Sequence, residues 1–321
     1  MAESGQGGVA PVTAPPERRQ RPPQGRVLST TGANGAPIRY GHWQPEGEKR
    51  GTCLILQGRR EFIEKYFETV NDLLARGFEV FTFDWRGQGK SIRLLENRQK
   101  GHIGKFDDYL ADLDIFLKRV IGKEARPLYC LAHSMGGHLA LRYAHDHPST
   151  FQKIILTAPM VAIHFGAPEA IIRRVVGAAC ALGLSKRYAP YQHDYNDRTQ
   201  VFEGNRLTSD PERFAEEAYF VGRDPLLAMG GVTFGWLKAA LQSTSLLEEP
   251  GFAEEIATPI LIAIAGADRV VSNERIKRFA KRLPAAHLVT IGDSRHEILR
   301  ENDGIRAIFW RLADEFLGVS G

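Results

Sequence analysis

The segment Leu128–Arg142 reads Leu-Tyr-Cys-Leu-Ala-His-Ser-Met-Gly-Gly-His-Leu-Ala-Leu-Arg and sets Ser134 between a strand-like and a helix-like run. A serine on a sharp strand–turn–helix bend projects its hydroxyl above a sheet, provided that small residues flank it. Ala132, Gly136 and Gly137 meet that condition, with Ala132 where Gly is usual. A hydroxyl is a weak nucleophile, so it needs a base, and the base needs an orienting acid. In such a fold the chain order is serine, acid, histidine. Asp268 follows the apolar run Ile260–Ala265, and His296 follows His287–Ile291, so both fall where the order requires. Asp293 is the rival acid, but in the same loop as His296 it is poorly placed to brace the far ring nitrogen. The developing oxyanion needs two preorganised N–H donors. Met135, after the serine, offers one. Arg59, in the loop Gln57-Gly-Arg-Arg-Glu61, offers the other, and Gly58 lets that backbone turn close to a substrate. His133 and His138 read as packing or capping residues, with His102, His164 and His193 as weaker site candidates.

The elements that must hold these residues alternate in type. Arg26–Ser29 and Ile38–Trp43 suggest a hairpin. Strands are expected at Thr52–Leu56, Glu79–Phe83, Leu128–Ala132 and Lys153–Leu156, with helices at Phe62–Ala75, Phe106–Val120 and Gly137–Ala144 between them. The rhythm resumes with a strand at Pro259–Ala265, a helix at Asn273–Arg282, a strand at His287–Ile291 and a helix at Asp303–Leu317. Continuous apolar strands alternating with amphipathic helices predict an α/β fold with a parallel sheet covered on both faces. The expected organisation is a tail at 1–24, a core at 25–159 and 248–321, and a helical insertion at 160–247. Insertions of that length are usually functional.

Composition excludes several classes. The 321 residues are 43% hydrophobic and 25% charged, an ordinary globular balance. A net charge of +4 is too small to argue for nucleic acid. Cys53, Cys130 and Cys180 are far apart, with no C-x-x-C pair and no histidine at zinc-ligand spacing, so neither a disulfide framework nor a metal is expected. The tail is rich in Gly, Pro and Arg and lacks the apolar stretch of a secretory signal. The longest apolar run, Val175–Leu184, is about half of what a spanning helix needs. A cytoplasmic protein, with peripheral contact at the inner membrane face left open, is therefore expected. Gly87-Gln-Gly-Lys-Ser91 resembles the end of a phosphate-binding loop, but Asp84 stands where that loop requires a further Gly.

These motifs together resemble the α/β-hydrolase superfamily, and within it the bacterial lysophospholipase and monoacylglycerol lipase group. The similarity runs from about Arg39 to the C-terminus. It rests on Gln57-Gly-Arg-Arg-Glu61 with Lys65-Tyr66, Phe83-Asp-Trp-Arg-Gly-Gln-Gly89, Gly101-His102 and Asp108-Tyr109. It continues through Ala132-His-Ser-Met-Gly-Gly137, Leu156-Thr-Ala-Pro-Met160, Gly230-Gly231 with Trp236, and His296-Glu-Ile-Leu299. The serine and histidine pieces look most like the inner-membrane lysophospholipases. The resemblance implies Ser134 as nucleophile, His296 as base, Asp268 as acid, Arg59 and Met135 as oxyanion donors, and the insertion as a lid. Many relatives carry His-Gly where this chain has Gln57-Gly58, but the donor is a backbone N–H, so the hole is left intact.

The expected activity is a cofactor-free serine esterase acting on a lipid ester, either a lysophospholipid or a monoacylglycerol. The alternatives are a small-molecule esterase or acyltransferase on the same triad, or a non-catalytic binding protein. Met160, Ile171 and Val175 are candidate acyl-chain contacts. Residues 85–105 carry six bases and a single acid, Glu96, so Arg93 and Arg98 are candidates for a phosphate headgroup or an anionic membrane. Oligomeric state is open.

Overall fold

The computed structural model describes residues 16–123 and 125–319. Eight strands form one sheet: β1 (Arg26–Thr31), β2 (Pro37–Trp43), β3 (Gly51–Leu56), β4 (Phe78–Phe83), β5 (Leu128–His133), β6 (Lys153–Thr157), β7 (Ile260–Ala265) and β8 (Ala286–Ile291). Ten α-helices accompany them in the described residues: α1 (Pro16–Arg19), α2 (Phe67–Ala75), α3 (Asp107–Phe116), α4 (Met135–Asp146), α5 (Glu169–Ala181), α6 (Pro211–Phe214), α7 (Glu216–Arg223), α8 (Phe234–Leu246), α9 (Asn273–Ala280) and α10 (Asp303–Leu317).

The strand order is β1-β2-β4-β3-β5-β6-β7-β8. The β1–β2 hairpin and its junction with β4 are antiparallel, and all later pairings are parallel. Strands β3, β4 and β7 are buried at every position, which is why they read as unbroken apolar runs. One core lies on each face. Leu54, Cys130, Leu139, Leu156 and Ile262 belong to one, and Cys53, Ile55, Val70, Leu131 and Phe309 to the other. The two central cysteines thus serve as small buried side chains.

The order reverses at β3, which sends the chain to β4 on one side and lies against β5 on the other. Ligands of open α/β sheets sit in the crevice at the carboxyl ends of strands where such a reversal occurs. The Gln57–Glu61 loop leaves β3 at that edge, and Ser134 leaves β5 beside it.

Some boundaries differ from expectation. The predicted helix 62–75 begins as a 3-10 turn at Ile63–Tyr66 before α2. Of the expected tail, 1–15 lies outside the described residues, whereas 16–19 forms the single turn α1 and is tied down. Arg18 reaches Glu212 at 2.6 Å, and the Arg19 guanidinium lies 3.9 Å from the Tyr219 ring centre. Between β6 and β7 the chain runs through α5–α8 without adding a strand to the sheet. Helix α8 is a core helix, with Trp236, Ala239 and Ala240 buried in the first cluster.

Candidate active site

Ser134 occupies the bend between β5 and α4 at φ 51°, ψ −113°. A non-glycine residue there costs about 1–3 kcal/mol and persists only when its surroundings over-determine it. They do so here: the Ser134 N–H donates to the Thr157 carbonyl at 3.0 Å, and the Ser134 carbonyl accepts from the Met160 and His138 N–H groups at 2.9 and 3.0 Å. Met160 is buried at this position. Gly136 is dictated by space, because a Cβ would lie 2.2 Å from the Leu56 carbonyl oxygen. That close approach sets the first turn of α4 against the end of β3. At Gly137 a Cβ would lie 2.9 Å from the Pro159 side chain.

The three residues singled out from the sequence meet. His296 Nε2 lies 2.9 Å from Ser134 Oγ, and His296 Nδ1 lies 2.8 Å from Asp268 Oδ2. Asp268 Oδ1 accepts from the Val270 and Val271 N–H groups at 2.7 and 3.1 Å. Burial alone would push this carboxyl up, but the His296 hydrogen bond and charge, with the two N–H donors, hold it below the usual range. Asp268 is therefore ionised and fixed at both oxygens. His296 is anchored by its own N–H on the Arg206 carbonyl, and its ring lies 4.8 Å from that of His133. His133 in turn bonds Thr157, and His138 bonds the Met160 carbonyl and Ser243, so both flanking histidines are buried with partners.

Two N–H groups, in the loop after β3 and at the start of α4, are the oxyanion-donor candidates. Met135 is the first residue of α4, where an N–H has no intrahelical acceptor. Arg59 carries the other, with no acceptor for it among the described residues. The groups on either side of it are occupied. The Gly58 N–H donates to Glu61 Oε2 at 2.5 Å, and the Arg60 N–H donates to Gln88 Oε1 at 2.7 Å. Gln88 Nε2 donates back to the Gly58 carbonyl at 3.1 Å. One buried carboxamide thus brackets Arg59, holding the Gly58 carbonyl and the Arg60 N–H on either side of it, with Arg60 at φ 65°.

Glu61 is fixed in the same way. Its Oε2 also accepts from the Tyr66 hydroxyl at 2.5 Å, and Lys65 Nζ lies 3.3 Å from its Oε1 and 3.2 Å from Glu297 Oε1. Burial opposes the Lys65 ammonium, but Glu297 and Glu61 more than offset it and hold its pKa above the ordinary value. This buried chain of charges links the loop after β3 to the loop carrying His296.

Gln88, Glu61 and Lys65 have no assigned role in the sequence reading. Gln88 stands between two glycines at positive φ, Gly87 (81°) and Gly89 (48°), but its partners are backbone groups, which leave no trace in residue type. Gln88→Leu removes both halves of the bracket and is expected to lower kcat about 10- to 100-fold with KM little changed, a part of the about 100- to 1000-fold that losing an oxyanion donor outright typically costs. Steady-state kinetics on a soluble chromogenic ester read this out.

Two groups of expected contacts do not hold. Ile171 and Val175 are 52% and 50% exposed, because α5 packs inward through Val176 and Ala179 and leaves these residues on its solvent side. Arg93 is spent on the backbone: its guanidinium donates to the carbonyls of Gly87, Gly89, Arg98, Leu226 and Ala228. Arg86 pairs with buried Asp112, and Lys90 with Asp224. The basic run is mostly internal wiring between the β4 turn and the insertion, and Arg98 is left exposed on its surface. Among the described residues no group of His, Cys, Asp and Glu could hold a metal ion.

Residues 47–303 match the family model described as Hydrolase_4, serine aminopeptidase S33. The chain belongs to this family. Over 292 residues it is 32% identical to lysophospholipase L2 of Escherichia coli K12, covering 87% of this chain and 83% of that one. It is also 29% identical to a probable lysophospholipase L2 of Haemophilus influenzae, covering 90% and 91%. Among solved structures, a soluble variant of the Saccharomyces cerevisiae monoglyceride lipase, in complex with a substrate analog, superposes with a TM-score of 0.74 at 20% identity, covering 96% of this chain and 100% of that one. The family match spans β3 to β8, the serine bend and the Asp268 and His296 loops, and the fold is that of an α/β-hydrolase.

Proposed function

We propose that this S33-family hydrolase cleaves carboxylic esters of lipids, lysophospholipids or monoacylglycerols, through an acyl-enzyme on Ser134. The observation that carries the reading is the continuous Asp268–His296–Ser134 hydrogen-bonded line, to which the reading adds the Arg59 and Met135 N–H groups as oxyanion donors. His296 Nε2 accepts the Ser134 proton as Oγ attacks the acyl carbon, and the two N–H groups receive the charge that develops on the carbonyl oxygen. The imidazolium, steadied by Asp268, protonates the departing glycerol oxygen. Water then attacks the acyl-enzyme, His296 takes its proton, and the fatty acid leaves as Ser134 is reprotonated. Ser134 is 8% exposed, so we include an opening of the insertion over the serine as the route for a lipid, which makes that stretch a lid. The lysophospholipase names of relatives that align over most of their length support the substrate class.

A substrate series tests this. Hydrolysis of C12–C18 acyl glycerols and lysophospholipids is expected to exceed that of acetyl esters in kcat/KM, and faster cleavage of the acetyl esters would overturn the lipid assignment. Adding an alcohol acceptor and looking for a new ester separates transfer from hydrolysis.

The same proposal includes peripheral contact with a membrane through α5. Ile171, Val175 and Leu182 (77% exposed) form an apolar surface beside exposed Arg174, Lys186 and Arg187, a composition suited to an anionic lipid face. Among the described residues no helix is long and apolar enough to cross a membrane. Replacing Ile171, Val175 and Leu182 by Ser is expected to lower the rate on vesicle-presented ester relative to soluble ester at least tenfold, a factor that the loss of about two buried methylenes at roughly 0.8 kcal/mol each already gives. A flotation assay with anionic vesicles checks the binding directly.

A further inference from the structure

Most arginines around the site have acceptors at hydrogen-bond distance: Arg60 on Glu217, Arg86 on Asp112, Arg300 on Glu216, and Arg93 on carbonyls. Arg59 is poorly served: its Nη1 donates one long hydrogen bond, 3.5 Å, to the Gly230 carbonyl, and its guanidinium carbon lies 5.8 Å from the Trp236 ring centre. No carboxylate is within ion-pair distance of it among the described residues. The chain at Gly230 lies close against the insertion's own backbone, since a Cβ there would lie 2.4 Å from the His193 carbonyl. Burial, with the neighbouring Arg60 charge, pulls the guanidinium down to about 10, still charged at neutral pH. Glu217 and Glu61 pull the other way from a distance, but Glu217 is bonded to Arg60 and Glu61 to Lys65, so an anion brought by the ligand would be the first direct charged partner of this half-buried guanidinium.

The position of this group on the chain says where that anion would sit. About six bonds, roughly 7 Å extended, separate the Arg59 backbone nitrogen from its guanidinium carbon. About six bonds, of similar length, separate the ester carbonyl carbon of a 1-acyl-glycerophospholipid from its phosphorus. We infer that Arg59 reads the substrate at both ends, its N–H receiving the ester oxyanion and its guanidinium receiving the headgroup phosphate. A planar fork without a competing carboxylate suits bidentate binding of a phosphate. The inference rests on the lipid-ester reading of the same site and narrows it to phospholipid-type substrates. It moves headgroup recognition from Arg93, whose donors are spent, to the loop after β3.

The test compares the native protein with Arg59→Met and Arg59→Lys on 1-palmitoyl lysophospholipids and 1-palmitoylglycerol. The ratio of kcat/KM for lysophospholipid over palmitoylglycerol is expected to fall at least 30-fold in Arg59→Met, mainly through KM. Arg59→Lys, which keeps the charge but loses the fork, should recover part of it. In parallel, sn-glycerol 3-phosphate should inhibit cleavage of a soluble chromogenic ester by the native protein, with Ki at least tenfold weaker in Arg59→Met. An unchanged ratio, an equal loss on both lipids, or undiminished glycerol phosphate inhibition would overturn the inference. Cleavage of palmitoylglycerol with no cleavage of lysophospholipid by the native protein would overturn it while leaving the ester hydrolase. If the native protein cleaves neither lipid yet still hydrolyses the chromogenic ester, the lipid reading fails, and the inhibition arm decides the anion site alone.

Discussion

Ser134→Ala is expected to lower kcat/KM on any ester by about 10⁶-fold, with the fold and the thermal midpoint retained. His296 Nε2 stands 2.9 Å from the serine oxygen, and in the proposed mechanism the Arg59 and Met135 N–H groups receive the oxyanion that its attack creates. Alanine adopts the φ 51° bend no more and no less easily than serine, and the Thr157, His138 and Met160 backbone bonds that hold the bend do not involve the side chain. The lost activity should therefore come without lost stability. A remnant of about 10³–10⁴ over the uncatalysed reaction is expected from the oxyanion donors alone.

Asp268→Asn should cost about 10⁴-fold in kcat, for a reason specific to this loop. Both the Val270 and Val271 N–H groups point at Oδ1 and require an acceptor there. An asparagine would place its carbonyl oxygen on them and turn its NH₂ toward His296 Nδ1. That nitrogen would then have to accept, so the ring proton would move to Nε2, where it could no longer take a proton from Ser134. Stability should fall little, because the backbone donors keep their acceptor. At high pH the variant should not recover, since the defect is a tautomer and not a missing charge, and a pH–rate profile from pH 6 to 10 checks this.

The sheet was legible because buried parallel strands leave unbroken apolar runs, and β3, β5 and β7 fall within a residue or so of the runs expected. Ser134, Asp268 and His296 were legible because a strained bend demands small neighbours and because loops at one sheet edge converge. Ile171 and Val175 misled because a helical apolar stripe looks the same whether it faces a core, a ligand or solvent. Only the packing of Val176 and Ala179 chooses between them. The basic run misled because net charge counts residues and not their partners. Lys90 pairs with Asp224 and Arg93 with carbonyls of Leu226 and Ala228, far away in sequence, and a carbonyl acceptor leaves no trace in residue type. The Gln88 bracket was hidden for the same reason, since it binds backbone only.

The most direct test of a Ser134 acyl-enzyme is labelling with a long-chain fluorophosphonate, followed by intact-mass measurement and peptide mapping. One equivalent on the peptide containing Ser134 is expected, absent in Ser134→Ala and slowed by about three orders of magnitude in Asp268→Asn. An unlabelled native protein, or a label that persists in Ser134→Ala, would contradict the account.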